Sequence, residues 1–417
     1  MKRPMLMMAL LLAMPHPAHA APERLTLDHA LALARDHQPQ LQQARAALRA
    51  AEARTLTARA PMLPQVSMSA GYSLGSRRET LGIAGSNLNL RANQLLFDFG
   101  QRESRYQASN AQLAAQGQSE RDTRQAVALG VRTSFFAAQA AKILLEVNRE
   151  ALANQERHLK QAEQFVKAGT RAPIDVVQER ANVANARRQL INAENDYRTS
   201  KARLNQAMGR EGGLDFEVAP EAMPVVAGED LTLDALMQEA EANRPDLARM
   251  AEQVRSQELA LAAQSRAQSP TLQASTGLGD NGLLIGRPGT SWEVGLSFSW
   301  PLYSGGSIQA QTQEAEASLE GTRAQAIALR QQVRLDLTEA TLAITSQKAA
   351  IRSAQEAASN AAERLKLAEG RYAAGVGNII ELADAQLALT SARSQVVQEE
   401  FRLATARAQL LKALGRE

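Results

Sequence analysis

The 417-residue chain contains no cysteine. That absence excludes a disulfide framework, thiolate zinc or iron–sulfur sites, a thiol nucleophile and a lipid-modified N-terminal cysteine. Charge of one sign is also scarce, because 47 basic and 44 acidic residues leave only +3. So small and mixed an excess argues against nucleic acid as a partner. There is no P-loop, no Gly-x-Ser-x-Gly elbow and no dinucleotide fingerprint. Beyond the N-terminus no run approaches the ~18 apolar residues of a membrane-spanning helix. Of the five histidines, His16 and His19 lie at the extreme N-terminus, and His29, His37 and His158 read as scattered surface residues. No enzyme activity, metal site or cofactor is therefore expected. Asp28 and Asp234 are read as acids at helix starts, facing the positive end of the dipole. Aromatics make up only 4%, while Ala, Gln, Arg and Glu abound, a composition that suits long helices.

The N-terminus reads as an export signal. Lys2 and Arg3 precede an apolar run from Met5 to Met14, and Ala18-His19-Ala20 is a small-x-small cleavage site before Ala21. Removing residues 1–20 leaves 45 basic against 44 acidic residues. An exported protein is expected, either periplasmic, secreted or in an outer membrane.

The remainder is duplicated. Leu25-Thr26-Leu27-Asp28 recurs as Leu231-Thr232-Leu233-Asp234, an offset of 206 residues. The same offset carries Pro39-Gln40-Leu41 onto Pro245-Asp246-Leu247, Gly100 onto Gly306, Gly169 onto Gly375 and Gly209 onto Gly415. A period of this length means two copies of a domain-sized plan, not a solenoid. The copies are expected at 21–209 and 231–417, with the Gly- and Pro-bearing segment 210–230 as the link.

Most of each copy carries a heptad rhythm. Val176, Val183, Leu190, Tyr197 and Leu204 lie seven apart, answered 206 residues later by Leu382, Leu389, Val396, Leu403 and Leu410. Leu145, Leu152, Leu159 and Val166 do the same on the preceding helix. A strict seven-residue repeat holds one seam against a neighbour and imposes a left-handed supercoil. Long helices are expected at about 101–168 and 306–374, each roughly 100 Å at 1.5 Å per residue. Gly169 to Pro173 and Gly375 to Asn378 break the pattern, and return helices follow at about 173–208 and 379–414. Each copy thus holds a long helical hairpin. Gly169 and Gly375 fit left-handed C-terminal positions, Pro173 a first helical turn and Asn378 an N-cap.

Between the first helix, about 26–62, and the long one the period changes to two. Val66, Met68, Ala70, Tyr72 and Leu74 alternate with Ser and Gly, and Leu88, Leu90 and Ala92 with Asn and Arg. In the second copy Trp292, Val294, Leu296, Phe298 and Trp300 alternate with Glu293, Gly295, Ser297 and Ser299. Strands are expected at about 64–75, 86–97, 270–280 and 291–301. About nine residues suffice to cross a bilayer when tilted, and Trp292 and Trp300 would be interfacial aromatics at the two ends of one strand. A soluble sheet edge uses the same alternation, so a periplasmic coiled-coil scaffold or adaptor remains the alternative. Four membrane strands cannot close alone, so several chains would have to share one barrel.

The sequence resembles the TolC-type outer-membrane efflux channels over nearly the whole mature chain, from Leu25 to Gly415. The resemblance rests on the duplicated helix-strand-strand-helix-helix order, on Leu96-Phe97-Asp98-Phe99-Gly100 and Pro301-Leu302-Tyr303-Ser304-Gly305-Gly306 leading out of the strands, and on the two hairpin tips. It implies a mainly α fold with membrane β: a homotrimer with a helical α-barrel tunnel and a shared twelve-stranded β-barrel in the outer membrane. It also implies a periplasmic adaptor and an inner-membrane pump as partners, outer-membrane lipid around the strands, and a passive exit duct as the function.

At the tips the resemblance assigns roles that the residues alone leave open. Glu381 and Asp384, three apart on one helix face, read by themselves as dipole compensation. They match the family's periplasmic carboxylate constriction, a ring expected to favour cations and bind divalent ions. Tyr372 and Asp175 match the tyrosine and aspartate that hold neighbouring coils closed. Gly169, Thr170, Gly375 and Val376 fall where adaptors dock. One departure stands out: Gly377 replaces the family's arginine in the second tip, while Arg171 occupies the equivalent place in the first. The resemblance leaves open whether Arg171 takes over the lock.

Overall fold

The computed structural model describes residues 23–77, 80–282 and 290–417, so the expected signal segment lies outside the described residues. Two helices of 67 residues dominate, α3 (Gln101–Lys167) and α7 (Ser307–Ala373). Each is roughly 100 Å long. No proline interrupts either, and Ala, Gln, Arg and Glu supply the helix propensity. They return as α4 (Pro173–Met208) and α8 (Ile379–Ala413), giving two long hairpins. α3 also packs against α8, which binds the hairpins side by side.

The single first helix expected at 26–62 is instead two. α1 (Leu27–His37) and α2 (Pro39–Arg59) are separated by Gln38, at φ −66° and ψ 119°. The second copy repeats the break between α5 (Leu233–Asn243) and α6 (Pro245–Ser265) at Arg244, φ −72° and ψ 120°. A following proline drives both residues out of the helical region. The breaks have a purpose in the packing. Gln38 Nε2 donates to the carbonyls of Gln206 and Ala207 at the end of α4, and Arg244 Nη1 donates to Ala413 at the end of α8. Each break thus caps the last carbonyls of its own hairpin's return helix.

The inter-copy segment is more than a link. β1 (Glu23–Leu25) pairs in parallel with β4 (Phe216–Val218), which straps the chain across the middle of the helices. Leu25, Phe216, Val218 and Met223 join a core with Val131, Phe135 and Leu204. Three-residue strands paired across the chain are too short to show a period in sequence. Further along the strap, Glu229 is buried to 1% side-chain exposure between Arg407 on α8, at 3.0 Å, and Lys348 on α7, at 2.7 Å.

The remaining strands form one antiparallel sheet in the order β2-β3-β5-β6. They are β2 (Gln65–Arg77), β3 (Thr80–Phe97), β5 (Thr271–Gly282) and β6 (Thr290–Ser299). Register places Met68, Leu90, Leu278 and Trp292 in a single row across all four strands. The adjacent row on the other face is Ser67, Arg91, Gly277 and Glu293, where Arg91 and Glu293 pair at 3.5 Å over the glycine between them. One face is therefore apolar and the other polar, as period-two patterning requires. The apolar face has no cover among the described residues: Trp292 is 76% exposed, Val294 74% and Leu296 71%. β6 ends at Ser299, so Trp300 stands just beyond the strand and not within it, and its Nε1 donates to the carbonyl of Gln268 below.

Asp98 and Arg102 join sheet to helix. The Asp98 carboxylate accepts from the backbone N–H of Arg102 at 2.8 Å and from its Nε at 3.0 Å, in the first turn of α3. Arg102 Nη1 donates to the carbonyls of Leu95 and Pro61, tying the strand exit to the 3-10 turn that follows α2.

Candidate gate at the hairpin tips and the outer-membrane sheet

Both long helices end in the same way. Gly169 and Gly375 take φ +73° and +81°, a left-handed conformation that spares glycine any Cβ penalty. Their N–H groups donate back to Val166 and Tyr372, and those of Thr170 and Val376 donate to Phe165 and Arg371. The Thr170 hydroxyl adds a second bond to Phe165, at 3.0 Å. Val376 projects its side chain into solvent. Pro173 opens α4, and Asn378 caps α8 by accepting from Ile380 N–H at 3.1 Å.

Tyr372 is the centre of the tip. It is fully buried, with its ring 5.8 Å from that of Phe165 on α3, inside a core that includes Leu365, Leu382 and Leu389. Arg171 comes from the other tip and closes over it. Its guanidinium lies 4.9 Å from the Tyr372 ring centroid, and Nη2 donates to the carbonyls of Gly377 at 2.8 Å and Tyr372 at 3.4 Å. Cation–π and charge-assisted bonds act on the same pair of tips.

Gly377 explains the departure from the family pattern. A Cβ there would stand 2.7 Å from the Tyr372 nitrogen and 2.9 Å from the Arg371 carbonyl carbon, so no larger residue fits this turn. Arg171 of the first copy is the arginine that reaches this turn.

Tyr372 and Asp175 are not hydrogen-bonded to each other, since the buried phenol has no partner among the described residues. Burial, then the Asp175 carboxylate, push the phenol's pKa up. Glu179, one turn beyond Asp175, was not singled out in sequence. It is buried, Asn182 donates to its Oε1 at 3.1 Å, and its Oε2 has no partner among the described residues. Burial is the main cause that pushes its carboxyl pKa up. The i,i+4 spacing from Asp175 was the available signal for it.

Glu381 and Asp384 share the first turns of α8. Glu381 is half-buried and 3.5 Å from Arg371 Nε, while Asp384 is exposed. The Arg371 partnership was not legible in sequence. Among the described residues no group of three or more His, Cys, Asp or Glu could hold a metal ion.

Long helical hairpins carrying a four-stranded sheet with one uncovered apolar face define a subunit of an outer-membrane channel. Comparison with known proteins gives the family. The outer membrane efflux protein family matches residues 30–210 and again 236–416, two stretches that stand 206 residues apart. The chain belongs to this family and is an outer-membrane efflux duct protein, not a soluble scaffold. It is 25% identical over 406 residues to the outer membrane protein TolC of Escherichia coli K12, covering 92% of this chain and 80% of that one. It is 28% identical over 402 residues to protein CyaE of Bordetella pertussis, covering 94% and 84%. The crystal structure of the Campylobacter jejuni CmeC outer membrane channel superposes with a TM-score of 0.84 at 16% identity, covering 93% of this chain and 85% of that one.

Proposed function

We propose that three copies of this chain close a twelve-stranded barrel in the outer membrane above a helical tunnel, and that the tunnel is gated at the hairpin tips. The open sheet carries this reading. β2 and β6 are edges with no neighbour among the described residues, and an unpaired edge in lipid is not sustained. Four strands are too few to close, whereas three sets of four give an even-numbered barrel of ordinary size.

In the closed duct, Arg171 latches the two tips of each chain through Gly377 and Tyr372. Glu381 and Asp384, repeated three times around the axis, form a ring of carboxylates that selects cations and is plugged by divalent ions. Opening repacks the tips, with the Arg171 latch as the bistable element. A periplasmic adaptor docking at Gly169, Thr170, Gly375 and Val376 supplies the energy for that change, and an inner-membrane pump drives the substrate.

Single-channel conductance in a planar bilayer tests this. Discrete cation-selective currents, blocked by millimolar divalent ion on the tip side and unblocked in Glu381→Ala/Asp384→Ala, are expected. Currents whose divalent block survives that double substitution would move the constriction elsewhere.

A further inference from the structure

Where the two hairpins and the strap meet, the packing leaves a cavity of 360 Å³. This lies within the ~300–1,000 Å³ range of small-ligand sites. Phe136 from α3, Met223 from the strap, and Ile351 and Phe401 from α7 and α8 supply apolar walls. The strap cannot settle into the space, because it is pinned on both sides. Arg407 Nη1 on α8 donates to the Met223 carbonyl at 3.0 Å, and the Glu221 N–H donates to Gln139 Oε1 on α3 at 3.4 Å. Phe136 is itself held edge-on to the fully buried Phe135, with centroids 5.5 Å apart.

The charges around the cavity are unequal. Arg407 is the cationic side chain that lines it, and its guanidinium is spent on Glu229, to which Nε and Nη2 donate at 3.0 and 3.1 Å. Two carboxylates also line it. Among the described residues Glu221 accepts only the long contacts from Leu27 N–H at 3.3 and 3.4 Å, and Glu400, at the solvent-exposed rim, forms no ion pair. Apolar walls, two aromatic rings and uncompensated negative charge are complementary to one kind of ligand.

We infer that this cavity binds a small amphiphilic organic cation, an aromatic or branched-alkyl body bearing one substituted ammonium group. The body fills the space between Phe136 and Phe401, and the ammonium faces Glu221 and Glu400. The occupant touches both hairpins and the strap at once, so it stabilises their present arrangement by mass action. This site is separate from the tip gate and does not depend on how the gate works.

The test is calorimetric titration of the full-length protein in detergent with benzyltriethylammonium, using benzenesulfonate and benzyl alcohol as anionic and neutral counterparts. Saturable binding of the cation alone is expected. Glu221→Gln/Glu400→Gln should weaken it about tenfold, the scale of one lost charge interaction in a partly dry site. Ile143 lines the cavity and is 38% exposed, so Ile143→Trp fills the cavity from its open side without entering a core and should abolish binding. Far-ultraviolet circular dichroism of both variants checks that the helices persist. Absence of saturable binding, equal binding of the neutral alcohol, or unchanged affinity in folded Ile143→Trp would each overturn the assignment.

Discussion

Arg171 and Gly377 occupy the same place in the two halves of the chain, 206 residues apart, and are hydrogen-bonded to each other at 2.8 Å. The duplication has diverged at this position so that one copy provides the side chain and the other the space for it. An arginine in both tips could not be accommodated, because a Cβ at Gly377 meets backbone at 2.7 Å.

Loss of that contact should loosen the closed duct. A hydrogen bond to a charged group contributes about 1.5–3 kcal/mol, so Arg171→Ala should raise the open population about tenfold or more. Lysine lacks the planar fork and the stacking face, so Arg171→Lys should not restore closure. Gly377→Ala should act in the same direction by forcing the turn apart. Closed-state conductance measured on all three variants decides it, and unchanged values would remove the latch.

Tyr372→Phe separates two roles for that residue. Its hydroxyl is buried without a partner among the described residues, so removal should leave thermal stability unchanged or slightly higher. Tyr372→Ala, by contrast, should cost about 3–5 kcal/mol through the cavity it leaves. A marked fall in stability for the phenylalanine variant would mean that the hydroxyl is bonded in the assembled duct.

Arg371 should temper the carboxylate ring. Its pair with Glu381 is 3.5 Å long, with Arg371 exposed and Glu381 half-buried, worth at most about 1 kcal/mol. Arg371→Ser should therefore lower the divalent concentration for half-block severalfold, read directly from titrated single-channel currents. A variant blocked no more readily than the parent would place Arg371 outside the path of the ion.

The two faces of β6 should respond in opposite ways. Leu296→Lys puts a charge on the apolar face, at a cost of about 2–4 kcal/mol near the bilayer midplane. Ser297→Lys changes the polar face next to it and should be tolerated. Fractionation of outer membranes should recover the second variant and not the first, and equal recovery would contradict a lipid-facing row.

Acid should unfasten the strap through Glu229. Burial alone would push its carboxyl pKa up, but hydrogen bonds from Arg407 and Lys348 outweigh that and hold it below the usual carboxylate value. A folded-state pKa below the unfolded value of 4.5 contributes stability that is fully present above pH 4.5. That contribution is lost as pH falls through the folded value. Glu229→Gln should flatten the pH dependence of thermal unfolding below about pH 4.5, and an unaltered slope would assign it to other groups.

Periodic features were legible in the sequence because they repeat locally. The seven-residue seams located the hairpins, and the alternation at Trp292, Val294, Leu296 and Phe298 correctly sorted the faces of β6. Proline and glycine marked the tips. Part of what was missed had a local signature that was passed over. The split of the first helix at Gln38 is one such case, since Pro39 stands well inside the expected helix and excludes its predecessor from the helical region. β1 and β4 are three residues each and find one another across nearly the whole first copy. At the tips, Glu381 and Asp384 were singled out by their family match, while Arg371 was not, since its partner lies across a turn, and Glu179 was not, although its spacing from Asp175 was legible.

The sequence by itself determined the duplication, the long hairpins and the two-faced strands, because helix and strand periods record which face of each element is buried; the outer-membrane duct followed from the family resemblance. The tertiary structure alone decided that Arg171 reaches Gly377, that no side chain fits at Gly377, and that a pinned strap holds a cavity open between the hairpins. Those features depend on separations of a few ångströms between segments some 200 residues apart. Period and composition carry no record of such distances; only packing sets them.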